Sequence, residues 1–101
     1  MERYWTWKGK YIGVRQRDYL AACDGTILGK FYGREIYSPE GEYIGELRKN
    51  DRLIRRAVKK GMRRPGFSRG VRGTVNEPLR DCLPYPDMEG FEEFDPEGKW
   101  G

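Results

Sequence analysis

The sequence contains no histidine. That removes the commonest general base near neutral pH, a frequent metal ligand, and every catalytic triad built on imidazole. Cysteine is scarce as well: Cys23 and Cys82 are the only two, too few for a four-thiolate zinc site. They read as two free thiols in a reducing compartment, with a single disulfide as the alternative. No apolar run approaches the roughly 20 residues of a membrane span. The charged start Met1-Glu2-Arg3-Tyr4-Trp5 is not followed by the apolar core of a signal peptide. These absences point to a cytoplasmic protein without a membrane segment. Catalytic constellations are missing too. Glu40 and Glu42, and Glu92 and Glu93, are close in sequence but sit on turns or tail, where nothing fixes the separation that paired carboxylates need. Ser38 and Ser68 have no imidazole to activate them, and no glycine-rich phosphate loop opens a helix. The reading is a non-enzyme that requires no cofactor and no metal.

What is present is a repeat. Gly9-Lys10-Tyr11-Ile12-Gly13, Gly25-Thr26-Ile27-Leu28-Gly29 and Gly41-Glu42-Tyr43-Ile44-Gly45 recur every 16 residues. Ser38-Pro39-Glu40-Gly41 has the chemistry of a type I turn, with Pro second and Gly fourth, and Asp24-Gly25 is a weaker version of it. Gly9, Gly25 and Gly41 are therefore expected at φ > 0, closing short hairpin loops. Incoming strands are predicted over residues 4–7, 18–22 and 34–37. The second glycines, Gly13, Gly29 and Gly45, fall inside strands and point to bulges or to close backbone approach. The expected core is Trp7, Tyr11, Ile12, Ile27, Leu28, Phe31, Ile36, Tyr37, Tyr43, Ile44, Leu47 and Leu53. Single hairpins of this size are marginal in water, so the units must bury their apolar side chains around a shared axis.

A fourth unit is degenerate. In phase it has Gly61, but Ala57 stands where the other glycine belongs. Asn50-Asp51 followed by Leu53-Ile54 supports a strand that completes a ring of four. Leu53, Ile54, Ala57 and Val58, with Asn50 or Asp51 as N-cap and Gly61 beyond the end, support a short helix instead. The fold class is thus all-β: a pseudo-symmetric ring of three to four β-hairpins over residues 1–60. A Pro/Gly-rich tail follows over residues 61–101, extended and either partly disordered or docked on the β-domain. Leu79, Leu83, Tyr85, Met88, Phe91, Phe94 and Trp100 are the side chains through which it would dock or be offered to a partner.

The glycine-punctuated hairpins, the string Glu42-Tyr43-Ile44-Gly45-Glu46-Leu47 before Asp51-Arg52-Leu53-Ile54, the basic stretch after it and the late Gly90-Phe91-Glu92-Glu93-Phe94 together resemble the four-fold β-flower family of small bacterial proteins of unknown function. The similarity covers residues 5–56, with looser echoes in the tail. It implies four hairpins around a pseudo-fourfold axis and carries over no catalytic or ligand-binding residue.

Charge divides the chain into three blocks. Residues 1–47 hold 7 basic and 7 acidic side chains, residues 48–72 hold 11 and 1, and residues 73–101 hold 2 and 8. The basic block suggests nucleic-acid contact through Arg52, Arg55, Arg56, Lys59, Lys60, Arg63, Arg64, Arg69 and Arg72, with Phe67 available to stack. A solvated linker neutralised by the acidic tail is the plainer reading. If the basic block does bind nucleic acid, the acidic residues from Asp87 to Glu97 would compete with it, and removing residues 87–101 should strengthen binding. The competing reading is a protein-interaction or self-associating module with no nucleic-acid role.

Overall fold

A computed structural model describes residues 2–59, 61–67 and 79–94 of the chain. Its strands are β1 (Arg3–Thr6), β2 (Tyr11–Gln16), β3 (Tyr19–Ala22), β4 (Ile27–Tyr32), β5 (Glu35–Tyr37), β6 (Tyr43–Leu47), β7 (Arg52–Arg56) and β8 (Phe91–Glu93). Each of the first seven pairs antiparallel with the next, and β1 pairs in parallel with β7, so seven strands close into a barrel. The remaining strand, β8, lies antiparallel to β7. The expected all-β ring of hairpins is the observed architecture. The predicted incoming strands are each within a residue of β1, β3 and β5.

The hairpin turns repeat in atomic detail. The amides of Thr6, Ala22 and Ser38 donate to the carbonyls of Lys10, Thr26 and Glu42, while Gly9, Gly25 and Gly41 donate back to Thr6, Ala22 and Ser38 at 2.8–2.9 Å. The three glycines have φ of +93°, +90° and +90°. The interior glycines mark bulges: Tyr4 faces Gly13, Leu20 faces Gly29 and Ile36 faces Gly45, and the register slips at each site. The extra residue of each bulge, Ile12, Leu28 or Ile44, turns into the core. A bulge increases local twist, which short strands need in order to close a barrel.

The barrel interior holds Tyr4, Ile12, Leu20, Leu28, Phe31, Ile36, Ile44, Leu53 and Phe94. Val14, Ala21 and Ile27 form a smaller outer cluster covered by Tyr19 and Phe67. Of the expected core, Leu47 is half-buried and the other side chains are buried.

The fourth unit resolves in favour of the strand. Residues 52–56 are extended, flanked by two 3-10 turns, Lys49–Asp51 and Ala57–Lys59. A helix here would have left the facing edges of β1 and β6 without partners. The partner of β7 comes from far along the chain: β8 pairs Ile54, Arg55 and Arg56 with Glu93, Glu92 and Phe91. Four two-stranded units, β1–β2, β3–β4, β5–β6 and β7–β8, therefore follow one another around the sheet, the last formed by strands distant in sequence.

Of the tail expected beyond residue 60, the described residues are docked on the barrel. Residues 61–67 lie along the third hairpin, where Tyr43 donates to the carbonyl of Met62, Arg64 to that of Gly41 and Phe67 to that of Pro39. Residues 79–88 strap the first hairpin: Cys82 and Tyr85 donate to the carbonyls of Gly9 and Trp7, and Asp81 accepts from the Tyr11 amide at 2.9 Å. Both cysteines are free, Cys23 half-buried and Cys82 exposed. No helix among the described residues is long and apolar enough to cross a membrane.

Candidate functional site

The turn between β4 and β5 carries Arg34, and the neighbouring turn between β6 and β7 carries Arg48 and Lys49. Alternate turns of an up-and-down sheet emerge side by side, which brings these three cations together. The strap supplies the opposing wall, Pro86, Asp87 and Met88, against Trp7. The result is an open groove of about 550 Å³ lined by these seven residues. Arg34 and Lys49 are exposed and Arg48 is half-buried. Arg48 lies 3.8 Å from Glu46 and its guanidinium 5.1 Å from the centre of the Phe91 ring. Asp87, the carboxylate in the lining, is 3.3 Å from Lys8.

The strap wall is held by Arg52. This side chain, 5% exposed, donates from Nη1 to the carbonyl of Trp7 at 3.1 Å and from Nη2 to that of Leu83 at 2.9 Å. Its guanidinium also stacks 4.1 Å from the centre of the Tyr85 ring. Tyr85 in turn packs edge-on to Trp7 at 4.9 Å and accepts a hydrogen bond from Asn50. The Trp7 indole N–H donates to the Pro86 carbonyl at 2.7 Å. Buried among carbonyls, Arg52 does not face solvent as a phosphate contact would require, so its place is in positioning the groove.

The other basic residues expected at a nucleic-acid surface are spread over several partners. Arg55 is ion-paired with Glu92 at 3.2 Å, and Arg56 stacks against Phe91. Arg63 donates to Glu42 at 3.1 Å, and Arg64 lies 4.7 Å from the centre of the Tyr32 ring. Lys60, Arg69 and Arg72 lie outside the described residues. Phe67 packs edge-on against Tyr19 instead of standing free.

Lys59 sits in a polar network on the outer face of the third hairpin. Its ammonium donates to Glu35 at 2.8 Å and lies 3.1 Å from Glu46. The Tyr43 hydroxyl donates to Glu46 at 2.9 Å and accepts from the Arg56 amide at 3.0 Å. The hydrogen bond from Lys59 holds the Glu35 carboxyl below the usual range, and the same bond raises the lysine. Burial is the main cause that raises the Tyr43 hydroxyl. Such a closed network leaves no free base or nucleophile, and among the described residues no group of acids and thiols is placed to hold a metal ion.

Arg48 and Lys49 fall inside the basic block of residues 48–72 but were not among the expected nucleic-acid contacts, and Arg34, Trp7 and Met88 were missed as their companions. Arg34 sits in the charge-balanced first block and gives no compositional signal. The usable signal was the repeat itself, which sets the turns at 33–34 and 48–51 next to each other. Comparison with protein-family models, with curated proteins and with solved structures finds no match to this chain.

Proposed function

We propose that this chain is a non-catalytic binding module that contacts the phosphate backbone of nucleic acid through the groove formed by Arg34, Arg48 and Lys49. The observation that carries the reading is the convergence of three cations from two turns on one concave surface, opposite a wall with a single carboxylate already paired by Lys8. Clustered Lys and Arg release condensed counterions on meeting phosphates, which is the main source of non-specific affinity. In this reading Arg52 positions the wall, and the exposed Arg63 and Arg64 extend the basic surface. A cytoplasmic location and kinship with the four-fold β-flower proteins belong to the same proposal; the four successive antiparallel pairs favour the kinship.

The test is a salt titration of a labelled oligonucleotide by fluorescence anisotropy, comparing the native chain with Arg34→Ala/Lys49→Ala. The double variant should weaken binding, and the slope of log K against log salt should fall by about 0.7 for each lost contact on a single strand. Unchanged affinity and slope would remove the groove from the interface. A second reading, a protein partner or a second copy of the chain, is favoured by Leu83, 84% exposed on the strap. Sedimentation over a range of concentrations distinguishes it.

A further inference from the structure

We infer that the groove selects single strands over duplexes, because its second wall is built to receive a base. This rests on the phosphate-binding reading above. The cations occupy one side only; the other presents Met88, half-buried, and Pro86, exposed, over the buried Trp7, with the Asp87 carboxylate between them turned to Lys8. The Trp7 indole N–H is committed to the Pro86 carbonyl, so this wall offers apolar contact with no free indole donor. A duplex keeps its bases stacked inward and would give this surface phosphates alone, leaving the apolar wall wet. A single strand can splay one base out while its phosphates stay on Arg34, Arg48 and Lys49. The volume of about 550 Å³ lies in the range of pockets that hold small organic ligands. Thioether and ring contacts to a base face are tolerant of base identity, so little sequence preference is expected.

The probes are a labelled single-stranded oligonucleotide, the duplex of the same sequence, and an abasic strand of the same length and charge, each titrated at one low salt concentration. The single strand should bind about fivefold or more tightly than the other two, the lower end of what one packed base contributes. Met88→Ala should shrink that preference by lowering affinity for the single strand more than affinity for the abasic strand. Its thermal midpoint, measured in parallel, confirms that the variant is folded. Equal binding of all three probes by the native chain would overturn the single-strand inference and leave the phosphate reading standing. So would a full preference retained by Met88→Ala. Absence of binding to any probe at low salt would instead reject the phosphate reading, and this inference with it.

Discussion

Gly41 shows how one residue joins two requirements. Its φ of +90° disfavours any side chain, and a Cβ there would sit 2.0 Å from the carbonyl oxygen of Arg64. Gly41→Val should therefore destabilise the fold by about 1–3 kcal/mol, through backbone strain and displacement of the chain at Arg64. Gly33 is the contrast: its φ is +62°, but nothing stands within 4 Å of an added Cβ. Gly33→Asn should be nearly neutral, because asparagine tolerates the left-handed region. Urea denaturation of both variants checks the pair. Glu35 makes a pH-dependent prediction. Its carboxyl is held down in the folded state, so its contribution to stability is present above the unfolded value and is lost as pH falls through the folded one. Lys59 has the opposite sign: its contribution is lost only at alkaline pH, as the raised folded value is passed. Glu35→Gln should flatten the acid limb of a plot of thermal midpoint against pH. The effect is about 0.5–1 kcal/mol at most, since both side chains are partly exposed.

At the scale of elements, β8 is the informative case. Phe94, which follows it, is fully buried, and its ring occupies the space where a Cβ on Gly45 would lie, 2.3 Å away. Phe94→Ala should cost about 3–5 kcal/mol, the usual range for emptying an aromatic site, measured by chemical denaturation. The strands β1 to β6 were legible because each pair is local: a turn closed by Gly, with Asp24 or Pro39 ahead of it in two of the three, then an apolar pair, repeated at a fixed interval. The bulges were legible too, since a glycine inside an apolar strand has few other reasons to recur. The choice between strand and helix at residues 52–59 was not, because Leu53, Ile54, Ala57 and Val58 fit both periods. What decides it is the edges of β1, β6 and β8, two of which are far away in sequence. The pairing of β8 was hidden for the same reason: a strand of three residues directly after a glycine carries little local signal. The groove was half legible, the cations Arg48 and Lys49 between β6 and β7 visible as charge, and Arg34 and the apolar wall visible only once the turns and the strap had a path.

For the whole molecule, the two opposite charge blocks do meet, but as structure and not as a loose tether. Glu92 reaches Arg55 through the ladder between β7 and β8, while Asp87 pairs at the groove with Lys8 of the charge-balanced first block. Removing residues 87–101 would take away a strand and the Phe94 plug along with the acid, so it cannot report on competition alone. Asp87→Asn/Glu89→Gln removes no strand and takes away two exposed carboxylates, one in the groove lining and one next to Met88 in sequence. Oligonucleotide affinity in low salt should rise by about 1.4-fold to fivefold, matching the ~0.2–1 kcal/mol of exposed charges, and the gain should fade as salt is added. Unaltered affinity would mean that these acids do not compete for the site. The late position of β8 also matters when the protein is made. The three local hairpins are complete once residue 47 has been synthesised, yet the edge of β7 at residues 54–56 stays without its partner until residue 94 has emerged. At about 5–20 residues per second that leaves the seam open for roughly 2–8 s beyond the end of β7. Through that interval the nascent chain carries an unpaired strand edge and an empty aromatic site, so demand for chaperones should peak over its last third and end abruptly with Phe94.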